Sequence, residues 1–445
     1  MSRTKLALLS PLLLGSLACA HCGDAARKDR TNVDAALTDA ASAERDAAPG
    51  ERDASARADA QAQDAGASGM DGSVDGGSDA ALEPSVNDSG LPDASGDGAM
   101  PPPAHTFVYV GGYSNSDPLR VYEIERATHV LRPIAHDAGV GAQASYITPS
   151  TDGRTLYVAN EDDANPGITV LRVDPKTGVP VRVDHETAIT SPYVFSSLSP
   201  DGKYLLAASY NGGNVGVYPV KSDGTLEPRV DMRSFGGGAQ SHSVRVHASR
   251  AVFVPNKGLD SVAQLKLDAT GKLSAASPDA FPAQAQRGMF DGPRHIAFSR
   301  DAKLAFVILE LGQTLFSLAV QDDGTLRELD KQPRLPANSG MPSDTGAHVL
   351  AHPRANFVYG SNRGTDTLVG FSYDAAGKLT LLGHVGSRGK TPRNFDIDPL
   401  GEFLVVANQS GTVAVFRIGQ DGRLTESGNL VSGLASPAAV AIVVH

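Results

Sequence analysis

The amino-acid sequence predicts an all-β fold, a seven-bladed β-propeller with four antiparallel strands per blade. Three observations predict it. An apolar strand ending in small and polar residues recurs seven times between Phe107 and Gln409. Aligned on positions 112, 160, 209, 256, 309, 362 and 408, these runs are spaced 46 to 53 residues apart. Repeats of that length built from short strands and Gly turns are the mark of propeller blades. The two ends of the repeating region are incomplete units that complement each other.

Each blade reads as strands A to D. Strand A precedes a polar turn such as SPDGK (199–203) or DPLGE (398–402). Strand B is the recurring run, read at 107–113, 156–161, 205–210, 252–257, 305–310, 357–363 and 404–409. Strand C alternates, as in ITVLRVD (168–174), VGVYPV (215–220) and VAVFRI (413–418). A Gly turn of the SDGTL or AAGKL type follows, whose Gly supplies the positive φ that hairpin turns require. A weaker strand D completes the unit. The first strand B, at 107–110, has no strand A before it. The last segment, SPAAVAIVV (436–444), is a strand A with no B after it. Paired, they close the ring and leave no long open sheet edge.

The folded region is expected to span 105–445. Residues 24–104 hold seventeen acids, six bases and no aromatic residue. Such a segment cannot bury enough apolar surface to offset its chain entropy, and a disordered linker is expected. It carries nearly all of the net charge of −11. The rest is close to neutral, which argues against nucleic-acid binding, since that needs a basic patch.

Residues 1–23 read as an export signal. Arg3 and Lys5 precede an apolar stretch (6–18) too short and Pro-broken to span a bilayer. Small and apolar residues before Cys19 resemble a bacterial lipobox. Lipidation of Cys19 and a place in the cell envelope, periplasmic or on the outer surface, are therefore expected. Cleavage after Ala20 and plain secretion is the alternative. Cys19 and Cys22 are the only cysteines. They are too few for a zinc site and lie outside any scaffold that would make a redox pair.

Strand A starts and strand B ends share one mouth of the propeller, together with the long connections. Function is expected on that loop-rich face. The residues after the seven anchors are Tyr113, Glu161, Tyr210, Lys257, Glu310, Arg363 and Gln409. Strand A starts bring His242, Arg294, His295, His348 and Arg393 to the same rim. The period of two puts Arg294 and His295 on opposite faces. Arg294 is then expected in the pocket and His295 against the neighbouring sheet, unless the strand is irregular there. A wet channel lined by polar side chains without chemistry is the plain alternative. Convergence of His242, Arg294, Glu310 and Arg363 would be more than that. Two guanidiniums suit carboxylate or phosphate oxygens. They would also lower the pKa of Glu310 and hold an oxyanion.

At these residues the chain resembles the seven-bladed lactonases of the bacterial 6-phosphogluconolactonase type, with the related fungal carboxy-muconate cyclases. The motifs that carry the resemblance are YVGGYS, YVANE, SPDGKYLLAASYNGGNVGVYPV, SHSV, GPRHIAF, SNRGTDTL and PRNFDIDPLGEFLVVANQ, in order across about 106–443. The resemblance implies a lactone hydrolase whose active-site residues map onto His242, Arg294, Glu310 and Arg363. Arg393, His295, Glu161, Tyr210 and Gln409 are the expected substrate-binding residues. Two departures stand out. VPNKGLDSV (254–262) alters one sector of the rim, and Leu309 replaces the Asn usual before Glu310.

The expected function is an exported lactone hydrolase. It opens a sugar-derived or carboxylated lactone by general-base-assisted attack of water, with Glu310 or His242 as base. No cofactor or metal is expected. The expected partner is the small lactone, met by a monomer that touches the membrane only through its lipid anchor. 6-Phosphogluconolactone itself is a cytosolic metabolite that an exported protein would rarely meet. Two other readings use the same residues: a muconate-type cycloisomerase, and a non-catalytic binding propeller at the envelope.

Overall fold

A computed structural model describes residues 104–188, 191–286, 288, 290–339 and 343–445 of the protein. The export signal, Cys19 and nearly all of the acidic linker lie outside the described residues. Within them, 28 strands form seven four-stranded antiparallel sheets. Six blades are built from consecutive strands, starting at Ala144–Pro149, Phe195–Leu198, Arg245–Val246, Pro293–Phe298, Thr345–Ala351 and Pro392–Ile397. We number these blades 1 to 6. Blade 7 is composite: Pro437–Val444 is its strand A, and Thr106–Gly112, Leu119–Glu125 and Val130–His136 are its B, C and D. The two chain segments pair from Thr106↔Val444 to Gly112↔Pro437. The expected closure is therefore present.

The strands differ in sequence because they differ in surroundings. Strand B is sandwiched between two neighbouring blades, so both of its faces are buried. Thr155–Asn160, Ala251–Asn256, Leu304–Leu309 and Phe403–Asn408 are buried at every position. This is why strand B reads as a continuous apolar run without alternation. Strand D is the outer edge and is largely exposed, as in Pro180–Thr187 and Leu326–Pro333. The core is divided into wedges between blades. One joins Phe107, Tyr109, Leu156, Val158 and Ala441. Another joins Phe195, Leu206, Val244, Val252 and Leu265. Truncating a fully buried ring such as Phe306 to Ala costs about 3–5 kcal/mol.

Two recurring devices hold the blades in register. Tyrosines on strand B reach the Gly turn of the next blade: Tyr109 Oη donates to Gly178 O, Tyr157 to Gly224 O and Tyr359 to Gly422 O. The inner edge of strand A has backbone groups with no ladder partner, and buried groups of this kind must be satisfied. Neighbouring blades supply side chains for them. Thr148 Oγ1 donates to Ser196 O, Ser197 Oγ to Val244 O, and Ser243 Oγ to Arg294 O. Asn394 and Asp396 accept the Val440 and Ile442 N–H groups.

The Asn anchors have a related role at the mouth. Asn160 Nδ2 donates to Val140 O and Ala142 O, and Asn408 Nδ2 to Ser387 O. Each ties the connection that enters strand A to the end of strand B. The side chain one residue later is thereby set on the rim.

Candidate active site

The seven post-anchor residues end their strands at one mouth, and three consecutive blades build its charged centre. Blade 4 supplies Glu310, directly after Leu304–Leu309, and Arg294 from Pro293–Phe298. Blade 5 supplies Arg363, the last residue of Phe357–Arg363. Blade 3 supplies His242 before Arg245–Val246 and Lys257 after Ala251–Asn256.

These side chains surround one carboxylate. Lys257 Nζ and Arg363 Nη2 each lie 3.3 Å from Glu310 Oε1. Arg294 Nε lies 3.2 Å from Oε2, at ion-pair distance but not aligned as a hydrogen bond. His242 Nε2 lies 3.8 Å from the same Oε2. The two oxygens therefore divide the site. Oε1 faces two cations, and Oε2 faces a cation and an imidazole. All five residues except Arg363 are buried, and Arg363 is half-buried.

The electrostatics follow from this packing. Burial opposes ionisation of Glu310, but Arg363, Lys257 and Arg294 outweigh it and hold the carboxyl far below its ordinary range. Burial, with Arg294 next, holds His242 well below an ordinary histidine, so the imidazole is neutral. Burial also disfavours the Lys257 ammonium, yet Glu310 and Tyr210 raise its pKa. Lys257, Arg294 and Arg363 against Glu310 leave an excess of positive charge on the floor of the mouth. Such a floor favours an anionic ligand.

The expected site residues fall into three groups. His242, Arg294, Glu310 and Arg363 meet as above. Tyr210 joins them through Lys257, whose Nζ donates to Tyr210 Oη at 2.9 Å; the Tyr210 ring also packs edge-on to His242. Arg393 and Glu161 form a second cluster on the same mouth, with Tyr113 between them. Arg393 Nη2 donates to Tyr113 Oη at 2.5 Å, and Tyr113 Oη donates to Glu161 Oε2 at 2.5 Å. Gln409 is half-buried and held by a backbone bond from its N–H to Thr391 O; no side-chain contact joins it to either cluster among the described residues.

His295 departs from the simple alternation. The pairing of Pro293–Phe298 shifts register between Pro293 and His295. This bulge at Arg294 breaks the period of two, so both side chains turn inward. Arg294 Nη1 donates to His295 Nε2 at 3.1 Å. The His295 ring packs against His242, His348 and Phe195, from three other blades. It therefore lies behind Arg294 on the axis. The same shift occurs at Ser145 and Arg393, so the bulge is a repeated feature of strand A starts.

Two residues were not singled out as functional in the sequence. Lys257 stood only in the rim series and in the altered segment 254–262. Arg334, fully buried, comes from the connection after strand D of blade 4. It donates to Asp344 Oδ1 at 2.6 Å, Asn362 Oδ1 at 2.8 Å and Gly312 O at 3.1 Å. That bracket fixes the turn holding Glu310 against the strand end holding Arg363. It occupies no repeat position, so no sequence signal marks it.

The opposite mouth holds an axial cavity of about 210 Å³, lined in part by Tyr146, Arg245, His348 and Asp396. Glu310, His242 and Arg363 do not line it.

A family profile described as "Lactonase, 7-bladed beta-propeller" matches residues 107–443. A 6-phosphogluconolactonase of Bacillus subtilis is 27% identical over 332 residues, which is 71% of this chain and 93% of that protein. Among solved structures, a periplasmic gluconolactonase of Pseudomonas aeruginosa is 30% identical, with a TM-score of 0.69, covering 76% of this chain and 99% of that one. A protein from Bacteroides fragilis, described as a putative 6-phosphogluconolactonase, is 26% identical with a TM-score of 0.68, covering 76% and 98%.

Proposed function

Since the chain belongs to the family of seven-bladed β-propeller lactonases, we propose that it is an exported hydrolase opening a sugar-derived lactone that carries an anionic group. The observation that carries this reading is the division of Glu310. Lys257 and Arg363 on the Oε1 side are placed to hold a carboxylate or phosphate substituent. His242 and Arg294 on the Oε2 side are placed for the chemistry.

In this reading neutral His242 is the general base and Glu310 is not. The cations around Glu310 make it a very weak proton acceptor. A water attacking the lactone carbonyl gives its proton to His242. Glu310, 3.8 Å from Nε2, stabilises the imidazolium that forms. Arg294 stabilises the tetrahedral oxyanion. The ring C–O bond then breaks, and His242 returns the proton to the departing alkoxide, giving the hydroxy acid. General-base assistance is typically worth about 10²–10⁴-fold and one oxyanion donor about 10²–10³-fold. Proton release from a panel of anionic and neutral lactones tests the activity. Absence of turnover above background, or full turnover by His242→Ala, contradicts the proposal. Loss of a conjugated-diene absorbance instead would mark the cycloisomerase.

The cell envelope is the proposed location, with Cys19 as the lipid attachment point. The export-type N-terminus supports it, as does likeness to a protein described as periplasmic. Fatty-acid labelling in cells that persists in Cys19→Ser would refute the anchor.

A further inference from the structure

Arg294 spends its Nη1 hydrogens on two acceptors, the Ala347 carbonyl oxygen and His295 Nε2. A guanidinium has no acceptor atom, so His295 Nε2 must present a lone pair. Neutral His295 then carries its single ring proton on Nδ1. Nδ1 lies 2.7 Å from Nδ1 of His348, in the strand Thr345–Ala351 of the next blade. That contact requires one donor and one acceptor. The His295 proton fills the donor role, so His348 Nδ1 is the acceptor and His348 carries its own proton on Nε2. The reverse assignment would put a proton on His295 Nε2, facing the Arg294 N–H. Protonating either ring fully would set two donors against each other.

The surroundings keep both rings neutral. Burial comes first for each. The charged and titratable groups around His295 are Arg294, His348, His242 and Arg245, with Tyr146 edge-on to the ring. Around His348 they are His295, Arg245 and Arg294, again with Tyr146 at the ring edge. Phe195 packs on His295 and Phe395 on His348.

We infer that His348, which touches no reacting atom, is a positioning residue: it selects the Nδ1–H tautomer of His295, and that tautomer orients Arg294 toward Glu310. The order runs from His348 Nδ1 to His295, to Arg294 Nη1, and to the Arg294 Nε that faces Glu310 Oε2 at 3.2 Å. Without the acceptor on His348, His295 is free to place its proton on Nε2. The Arg294 guanidinium must then turn away. This rests on the proposed lactonase reading for its effect on rate, but not for the tautomer itself.

The test uses the full-length chain and two substitutions. In His348→Asn the amide oxygen can stand in for Nδ1, whereas His348→Leu offers no acceptor. Imidazole ¹⁵N shifts of the parent are expected to show His295 protonated on Nδ1 and bare on Nε2. That pattern should persist in His348→Asn and be lost in His348→Leu. With the best anionic lactone, kcat/KM should fall about 10–100-fold in His348→Leu, by analogy with the loss when an outer partner of a metal ligand is removed. His348→Asn should stay near the parent. A parent His295 protonated on Nε2, equal losses in both variants, or no loss in His348→Leu would each overturn the inference. If the parent opens no lactone, the proposed activity fails, and the ¹⁵N pattern still decides the hydrogen-bond order.

Discussion

Lys257 Nζ stands 3.3 Å from Glu310 Oε1, as close as Arg363 on the same oxygen. A third cation thus joins a centre expected to hold two arginines, a histidine and a glutamate. It makes the floor of the mouth cationic overall and fixes Glu310 as an anion.

Replacing Lys257 by Met should separate binding from chemistry. KM for an anionic lactone is expected to rise about tenfold, the worth of about 1.4 kcal/mol, with kcat nearly unchanged. A neutral lactone should be unaffected. Arg294 and Arg363 still neutralise Glu310, so the stability loss should fall below the roughly 3–5 kcal/mol of a buried pair broken outright. Steady-state kinetics on both lactone types check this. An equal effect on both would remove Lys257 from substrate binding.

The pH–rate profile should lack the usual histidine limb. The proposed base, His242, must be neutral to act, and burial with Arg294 holds its pKa well below 6.5. Consequently kcat/KM should stay level from pH 8 down through pH 6.5 and decline only at lower pH. A limb at or above pH 6.5 that moves in His242→Ala would contradict this environment.

Gly346 is needed for its small size. Its N–H donates to Glu310 O at 2.9 Å and its carbonyl accepts from Arg363 Nη2 at 3.1 Å. A Cβ there would overlap the Leu309 carbonyl oxygen and crowd Ile308 and Arg334. Gly346→Ala should cost about 1–3 kcal/mol of stability through overpacking. It should also lower kcat/KM about a hundredfold by displacing two site residues together. Wild-type activity in a folded Gly346→Ala protein would refute the role.

Stability should fall from pH 6.5 toward pH 5. His242, His295 and His348 stay neutral when folded, while their unfolded counterparts take up protons below about 6.5. The unfolded state then binds more protons, and each histidine removes about 1.4 kcal/mol per pH unit. Asp396 works the other way. Burial pushes its pKa up to about 7, so it keeps a proton that the unfolded chain loses above about 3.9. The histidines outnumber it. Urea midpoints measured between pH 5 and 7 check the sign; a midpoint that rises toward acid would contradict it.

Much of the fold was legible because a propeller repeats its physics. Every strand B meets the same two-sided burial, so seven apolar runs and two complementary ends were enough to count blades. The rim was legible for the same reason, since Asn160, Asn362 and Asn408 brace equivalent connections. What was hidden depends on register and angle. The bulges at Arg294 and Arg393 are shifts in pairing that no local pattern announces, and one of them turned His295 onto the axis. Lys257 looked equal to six other rim residues until the chain's curvature set it beside Glu310. Arg334 occupies no repeat position, and its partners Asp344, Asn362 and the Gly312 carbonyl meet it only once the chain is folded.

The most direct test of the central claim is a crystal structure of the protein with the hydroxy-acid product of an anionic sugar lactone. The account predicts the ligand at the Glu310 mouth, with one anionic group on Lys257 and Arg363 and the newly formed carboxylate on Arg294 beside His242. A ligand seated only in the opposite axial cavity, or at the rim without contact to these residues, would contradict it.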